Sequence, residues 1–372
     1  MRIGIIGAGQ LGRMLALAGY PLGLRFTFLD PSVDACGTQV GEHIVGAYDD
    51  PKKLRELAKQ VDVITYEFEN VPVDTLQAIA KHQQIFPPIS ALATSQDRLL
   101  EKNLFRKLGI ATPEFKAVDS LADLQAAVDS LGTPGILKTR RLGYDGRGQY
   151  RLRRNQDVAA AWQALSGVPL IYEAFVPFTR EVSMIGVRSS TGETAFYPLT
   201  ENTHKNGVLH LSVAPFKNTT LQKQAEQYLT KLFKQFNYVG VLTVEFFVLR
   251  GQLIANEMAP RVHNSGHWTI EGAKTSQFEN HLRAICGLPL GSTAVQGQVV
   301  MLNFVGDIPT AKQALQLSNL HFHDYGKQPR PGRKVGHATV VADSVKTRDA
   351  AVKAMLKLLP NSNTKGSKAQ KK

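Results

Sequence analysis

Cysteine is scarce: Cys36 and Cys286 are the two in 372 residues, far apart and in unlike contexts. Neither a disulfide framework nor a cysteine-based metal site fits that number; two reduced thiols in cytosol do. No run of about 18 apolar residues occurs, so no membrane span is expected. The start, Met1-Arg2-Ile3-Gly4-Ile5-Ile6-Gly7, enters strand-like sequence directly and carries no signal-peptide cleavage pattern. The Gly-X-Ser-X-Gly elbow, His-Glu-X-X-His and Cys-X-X-Cys are all missing, which removes the usual serine-hydrolase and zinc readings. There is no aromatic RNA-binding signature of the Gly-Phe-Gly-Phe type, and no internal repeat stands out.

What is present is ordinary globular composition, 43% hydrophobic and 20% charged, in a chain long enough for two or three domains. The net charge is +13, yet the basic residues are not gathered into one stripe. Four of the lysines sit in the tail Lys365–Lys372, which reads as a solvated, disordered end. The others lie largely in glycine-rich loops, where small anions are better partners than nucleic acid.

The first ninety residues alternate strand and helix: strands over 3–6, 24–29, 61–66 and 85–86, helices over 11–18, 51–60 and 73–81. That alternation predicts a doubly wound parallel sheet. One helix is expected over 90–109, linking to a mixed α+β unit with helices at 121–131 and 158–165 and strands at 135–139, 149–152, 170–175 and 181–187. A long amphipathic helix over 220–236 follows. From Gln298 onward, short β-prone runs suggest a small β-rich C-terminal unit.

Gly7-Ala8-Gly9-Gln10-Leu11-Gly12 follows a strand and opens a helix, and Asp30 ends the next strand. This nearly completes a dinucleotide fingerprint. A nicotinamide-dependent oxidoreductase is therefore one reading, a ribose 5′-phosphate pocket a second, and a tight turn without ligand a third. Glu67, just past the third strand, sits where parallel sheets bind ligands.

The run Val244–Gly266 says more than any other. Two apolar strand-like segments carry one carboxylate each, Glu245 and Glu257, and Arg261, His263 and Asn264 follow at once. A glutamate among Phe, Val and Leu is costly unless a cation or hydrogen bonds satisfy it, so the pair suggests a shared divalent cation. A three-residue loop, Arg250-Gly251-Gln252, is expected to set the two carboxylates opposite each other on one face. A two-residue loop would separate them. The alternative is a hairpin whose glutamates face solvent.

The second strong signal is Lys138-Thr139-Arg140-Arg141-Leu142-Gly143-Tyr144-Asp145-Gly146-Arg147-Gly148-Gln149. Three glycines make a pliant loop, and Lys138 supplies a point charge for phosphate; closure over a triphosphate is one use, a mobile hairpin tip the other. Arg98, Glu173, Glu181 and His204 are weaker polar candidates. Lys327–His337 packs four cations and two prolines into eleven residues and reads as an anion-clamping loop.

Taken together, Gly9–Met14, Glu67–Asn70, Gly143–Gln149, Asn256–His267 and Arg330–His337 resemble the ATP-grasp superfamily, and within it the N5-carboxyaminoimidazole ribonucleotide synthase family. The resemblance covers all but the lysine tail. It implies an N-terminal βαβ domain over 1–93, an ATP-grasp domain over 94–297 with a mobile lid near 112–173, a β-rich C-terminal domain over 298–360 and a disordered tail over 361–372. It also implies ATP-dependent carboxylation of 5-aminoimidazole ribonucleotide by bicarbonate through carboxyphosphate, in a cytoplasmic homodimer with two Mg²⁺ ions and neither NAD nor biotin.

By the same resemblance, Arg98, Lys138 and the 143–149 loop hold phosphates. Glu173, Ala174, Phe175, Val176 and Glu181 hold adenine and ribose, with His204 nearby. Glu245 and Glu257, with Asn256 beside them, hold the metal. Arg261, His263 and Asn264 hold bicarbonate. Tyr144, Asp145 and Arg147 approach the nucleotide substrate, with Asp145 taking the amine proton. Lys327 and Arg333 receive its 5′-phosphate opposite Gln10 and Glu67. Leu142 departs from the pattern, standing where relatives often carry glycine. Another ATP-grasp ligase, such as a formate-dependent transformylase or a biotin carboxylase, is the nearer rival; the oxidoreductase is the distant one.

Overall fold

The computed structural model describes residues 1–143 and 146–359. The expectations for Tyr144, Asp145 and the lysine tail therefore lie outside the described residues. Among the described residues the strands form three sheets. The first is parallel, in the order Glu42–Val45, Arg25–Asp30, Arg2–Ile6, Val63–Tyr66, with Ile85 bridging to Ile64. Glu42–Val45 goes unpredicted because it is an edge strand with one buried residue, Ile44, and so shows no alternation. The single helix predicted over 90–109 is two, Ile89–Ser95 and Arg98–Lys107. Asp97 divides them, its carboxylate accepting the N–H groups of Leu99 and Leu100 as an N-cap.

The second sheet, in the unit expected to form a lid, is four-stranded and antiparallel, ordered Phe115–Val118, Leu170–Ala174, Gly135–Thr139, Gln149–Leu152. Helices Leu121–Leu131 and Val158–Leu165 cover it, closing a core of Leu124, Val128, Leu137, Val158 and Tyr172. The third sheet has nine strands. Its main path runs Gln252–Ala259, Gly240–Leu249, Arg180–Arg188, Thr200–Lys205, Val208–Ala214, Gln298–Val305, Lys334–Ala342, Leu320–Asp324. The C-terminal strands thus continue the central sheet, since Leu211 pairs with Leu302 and Val213 with Val300. The predicted basic loop is also shorter than expected: Lys334 begins a strand, and Val335, Gly336 and His337 are buried in it. One core joins the first sheet to the third, because Ile3, Ile5, Phe26 and Phe28 share a cluster with Tyr197, Trp268, Phe278 and Leu282.

The hairpin that carries the two glutamates corrects the expected register argument. Its turn has two residues, Arg250 and Gly251, both at positive φ (50° and 75°), with Leu249 opposite Gln252. That turn alone would send Glu245 and Glu257 to opposite faces. They pair nonetheless, because the ladder slips by one residue between Glu245 and Phe246. Phe246 faces Ala255, Glu245 faces Glu257, and Asn256 is the extra residue of a β-bulge. The bulge is held from helix Arg98–Lys107: the Lys102 ammonium donates to the Asn256 carbonyl at 3.0 Å, and the Met258 N–H donates to the Glu101 carboxyl at 2.7 Å.

The left-handed turn makes a direct prediction. Gly251→Val forces a β-branched residue to φ near 75° and is expected to lower stability by about 1–2 kcal/mol, read as an earlier urea midpoint. Gly251→Asn is expected to stay within about 0.5 kcal/mol of wild type.

Candidate active site

A cavity of about 910 Å³ lies where the three units meet. Its lid end is lined by Arg98, Lys138, Gly143, Gly146, Arg147 and Gln149; its floor by Glu181, His204, Glu245, Asn256 and Glu257. Arg261, His263 and Asn264 form its inner wall, and Gln10, Glu67, Lys327 and Arg333 its far end. Most residues singled out from sequence therefore converge. Gly148 and the segment Glu173, Ala174, Phe175 and Val176 are not among the lining residues. Phe178 and Phe247, stacked with centroids 4.6 Å apart, are on the same wall as Glu181 and give it a flat apolar surface.

Glu245 and Glu257 face each other across the hairpin. Burial, with the Glu257 charge adding to it, pushes the Glu245 carboxyl up to about 7. Two facing carboxylates, one pressed toward neutrality, with Asn256 also lining the cavity, are a hard-oxygen donor set that fits Mg²⁺. No cluster of three or more His, Cys, Asp or Glu suited to a metal occurs among the described residues. The pair alone leaves room for water and phosphate oxygens in the coordination shell, as Mg²⁺ prefers. Arg98 links this pair to the lid: its guanidinium is 3.7 Å from Glu257 and donates to the carbonyls of Thr139 and Gly143.

Beneath the cavity lies a charge network the sequence does not disclose. Glu173 has almost no exposed surface and sits 3.0 Å from Lys138 and 3.4 Å from Lys102. Burial by itself would raise its carboxyl, but Lys102 and Lys138 outweigh burial and hold it below the usual range. Burial lowers Lys102 despite Glu173, and Glu101 is pushed up to about 8 by burial against the pull of Lys102. The Glu173 side chain thus anchors Lys138.

The inner wall is fixed just as firmly. The Arg261 guanidinium pairs with Glu69 from the first domain and donates to the Val262 carbonyl at 2.8 Å. The amide of Gln277 clamps the His263 backbone, accepting its N–H at 2.9 Å and donating to its carbonyl at 2.6 Å. Asn264 and the fully buried Asn303 exchange two amide hydrogen bonds, at 3.0 and 2.8 Å. Glu181 pairs with His204, whose imidazole is raised above its ordinary value: burial opposes the charge, but Glu181 and Glu245 prevail.

At the far end, the glycine-rich turn holds an internal anion. Glu67 accepts the N–H groups of Gly9 and Gly12 at 2.5 and 2.6 Å, while Asp30 accepts that of Ala8 at 2.9 Å. A Cβ on Gly9 would stand 2.5 Å from the Glu67 carboxylate, so the glycine serves this close approach. The amides that a dinucleotide phosphate would use are therefore already occupied. Lys327 donates to the Gln10 side chain at 2.7 Å, joining the C-terminal unit to this turn.

Sequence reading passes over Glu101, Lys102, Asn303 and Gln277; Glu69, Arg330 and Lys334, which it includes only as members of the Glu67–Asn70 motif and the basic loop, line the cavity. Lys102 and Glu101 carry no local signal, because charged positions on an amphipathic helix read as its solvated face. Leu142 lies in the lid loop at φ 62° with most of its surface exposed, a conformation that favours glycine.

Comparisons with known proteins agree along the length of the chain. Residues 1–96 match the ribonucleotide synthetase preATP-grasp domain, 103–278 the ATP-grasp domain, and 299–351 the phosphoribosylaminoimidazole carboxylase C-terminal domain. The N5-carboxyaminoimidazole ribonucleotide synthase of Pseudomonas aeruginosa is 54% identical over 96% of this chain and 99% of its own. The Thermus thermophilus synthetase structure superposes with a TM-score of 0.92 at 52% identity, covering 96% of this chain and 98% of that one. The Aspergillus clavatus synthase solved with ADP and 5-aminoimidazole ribonucleotide gives 0.89 at 31% identity, covering 96% and 98%.

Two predictions follow from the electrostatics. The Glu245 carboxyl titrates near 7 in the fold and near 4.3 unfolded. Its ionisation therefore penalises the metal-free fold increasingly as pH rises from about 4.3 to 7, and fully above that. Glu245→Gln is expected to melt about 2 °C or more above wild type at pH 8 without metal, the difference vanishing near pH 4, as read by calorimetry. Lys102→Met removes one of the two cations facing the buried Glu173 charge and the donor to the Asn256 carbonyl and is expected to cost about 1–3 kcal/mol, whereas Arg106→Ala, which breaks an exposed pair with Glu114, is expected to cost below about 1 kcal/mol. Urea denaturation distinguishes them.

Proposed function

Because the chain belongs to the N5-carboxyaminoimidazole ribonucleotide synthase family of ATP-grasp ligases, we propose that this cavity is where it joins bicarbonate to 5-aminoimidazole ribonucleotide. The chain is an ATP-dependent C–N bond-forming ligase of purine biosynthesis. The observation that carries the residue assignment is convergence: a carboxylate pair, a cationic lid end, the Arg261–Asn264 wall and a basic far end share one cavity.

In this reading Lys138, Arg98 and the 143–149 loop hold the ATP phosphates. Glu181 and His204, beside the Phe178–Phe247 wall, take the nucleoside. Glu245 and Glu257, with Asn256 beside them, hold Mg²⁺, two ions by resemblance. When bound, the metal offsets phosphate charge and orients the triphosphate. Arg261, His263 and Asn264 hold bicarbonate, whose oxygen attacks the γ-phosphorus, releasing ADP and forming carboxyphosphate. Lys138 and Arg98 offset the charge on the phosphoryl group in transfer. The substrate amine then bonds to the carboxyl carbon, either of carboxyphosphate or of the CO₂ it releases. Phosphate leaves and the amine gives up a proton, for which Asp145 is the proposed acceptor. Lid closure excludes water from this step. Lys327 and Arg333 receive the 5′-phosphate, with Gln10 and Glu67 facing the sugar.

NAD has no place in the proposal, since Glu67 already fills the turn; nor does a biotin carrier, since the carboxyl passes straight to the amine. Two free cysteines, Cys36 and Cys286, support a reducing cytoplasm. A homodimer is part of the reading by family resemblance, and light scattering tests it. No helix among the described residues is long and apolar enough to cross a membrane.

ADP release measured with and without bicarbonate and aminoimidazole ribonucleotide tests the whole assignment. Release is expected to need bicarbonate, to rise with the ribonucleotide and to ignore formate. Glu257→Gln is expected to lose about 100-fold or more in kcat. ADP release indifferent to bicarbonate would refute the reading.

A further inference from the structure

Behind the His263 imidazole runs a row of buried hydroxyl and amide groups that the reaction scheme leaves unused. Ser212 Oγ lies 2.8 Å from Asn202 Oδ1, and Asn202 Nδ2 lies 3.0 Å from Ser183 Oγ. Ser183 Oγ lies 2.8 Å from Ser265 Oγ, which lies 2.9 Å from His263 Nδ1. The three serines have no exposed surface and Asn202 has 6%. Adjacent strands of the central sheet supply Ser183, Asn202 and Ser212, and the turn Asn264–Gly266 supplies Ser265.

Hydroxyls donate or accept, so such a row has two possible directions. One contact removes the choice. The backbone N–H of Ser265 can only donate, and it meets His263 Nδ1 at 3.3 Å, so Nδ1 must present a lone pair. The Ser265 hydroxyl then donates to the same nitrogen, Ser183 to Ser265, the Asn202 amide N–H to Ser183, and Ser212 to the Asn202 carbonyl. Every member is satisfied in one sense. A ring whose Nδ1 accepts is neutral and carries its proton on Nε2.

We propose that Ser265 and Ser183 are positioning residues which, backed by Asn202 and Ser212, hold His263 as the Nε2–H tautomer. That nitrogen stands 3.4 Å from the Glu245 carboxylate on the cavity wall. Aimed there, it donates a hydrogen bond to an anionic oxygen. It offers no lone pair, so His263 is neither the base that deprotonates bicarbonate nor a metal ligand through Nε2. What it donates to rests on the function proposed above; the tautomer is a property of the resting protein.

The test is ¹⁵N NMR of the full chain labelled at its histidine rings, with His263 assigned by its loss in His263→Gln. The expected signal has Nε2 protonated and Nδ1 bare. Ser265→Ala removes the hydroxyl but leaves the 3.3 Å backbone donor at Nδ1, so it is expected to weaken the Nε2–H preference without abolishing it and to lower kcat for bicarbonate-dependent ADP release about tenfold, with KM for ATP held within about twofold. Ser183→Ala is expected to move both readouts the same way by less. A resting protein with Nδ1 protonated overturns the proposal, and so does a Ser265→Ala variant that keeps both the wild-type tautomer and kcat. The wild-type spectrum decides even where a variant fails to fold. Failure of the functional reading shows separately, as wild-type ADP release that ignores bicarbonate.

Discussion

Glu257 stands on the Glu245 side of its sheet because Asn256 is bulged, and the bulge is held by Lys102 and Glu101 on a helix some 150 positions earlier. The rest of the site depends on this constraint. Lys102 also faces Glu173, which in turn holds Lys138. One buried network thus spaces Lys138 against the carboxylate floor. A buried ion pair is a poor source of stability by itself; here its effect is geometric, since a charge with one satisfied position resists drifting.

The same logic governs the far walls. Glu67 fills the turn at the first helix, Glu69 holds Arg261, and Lys327 reaches Gln10. The first contact closes the N-terminal unit on itself, and the other two tie that unit to the central and C-terminal parts of the chain, fixing the walls of the cavity between them. The shared core from Ile5 and Phe28 to Trp268 and Leu282 packs the first and third sheets as one hydrophobic body.

Much of this was legible from local pattern. Helices Pro51–Gln60, Leu121–Leu131 and Val158–Leu165 and strands Gly135–Thr139 and Gln149–Leu152 form where periodicity places them, because caps, glycines and alternation are short-range signals. Lys138, Arg147, Glu245, Glu257 and Arg261 reach the cavity as expected, since polar residues at apolar strand ends have few other uses. The Asp97 break and the Glu42–Val45 edge strand were not legible: one turns on a single capping carboxylate and the other on one buried side chain.

The sequence by itself determined the strand and helix periods, the acidic and basic motifs, and the family they resemble. Only the tertiary structure decided which face Glu257 occupies, because a two-residue turn and a bulge together yield the register that a longer turn alone would have produced. It alone revealed that Lys102 and Glu101 are buried, that Glu173 is paired with both Lys102 and Lys138, and that the amides of Gly9 and Gly12 already hold an anion. Those outcomes depend on contacts between residues dozens to hundreds of positions apart, and local chemistry carries no record of which distant partner will arrive.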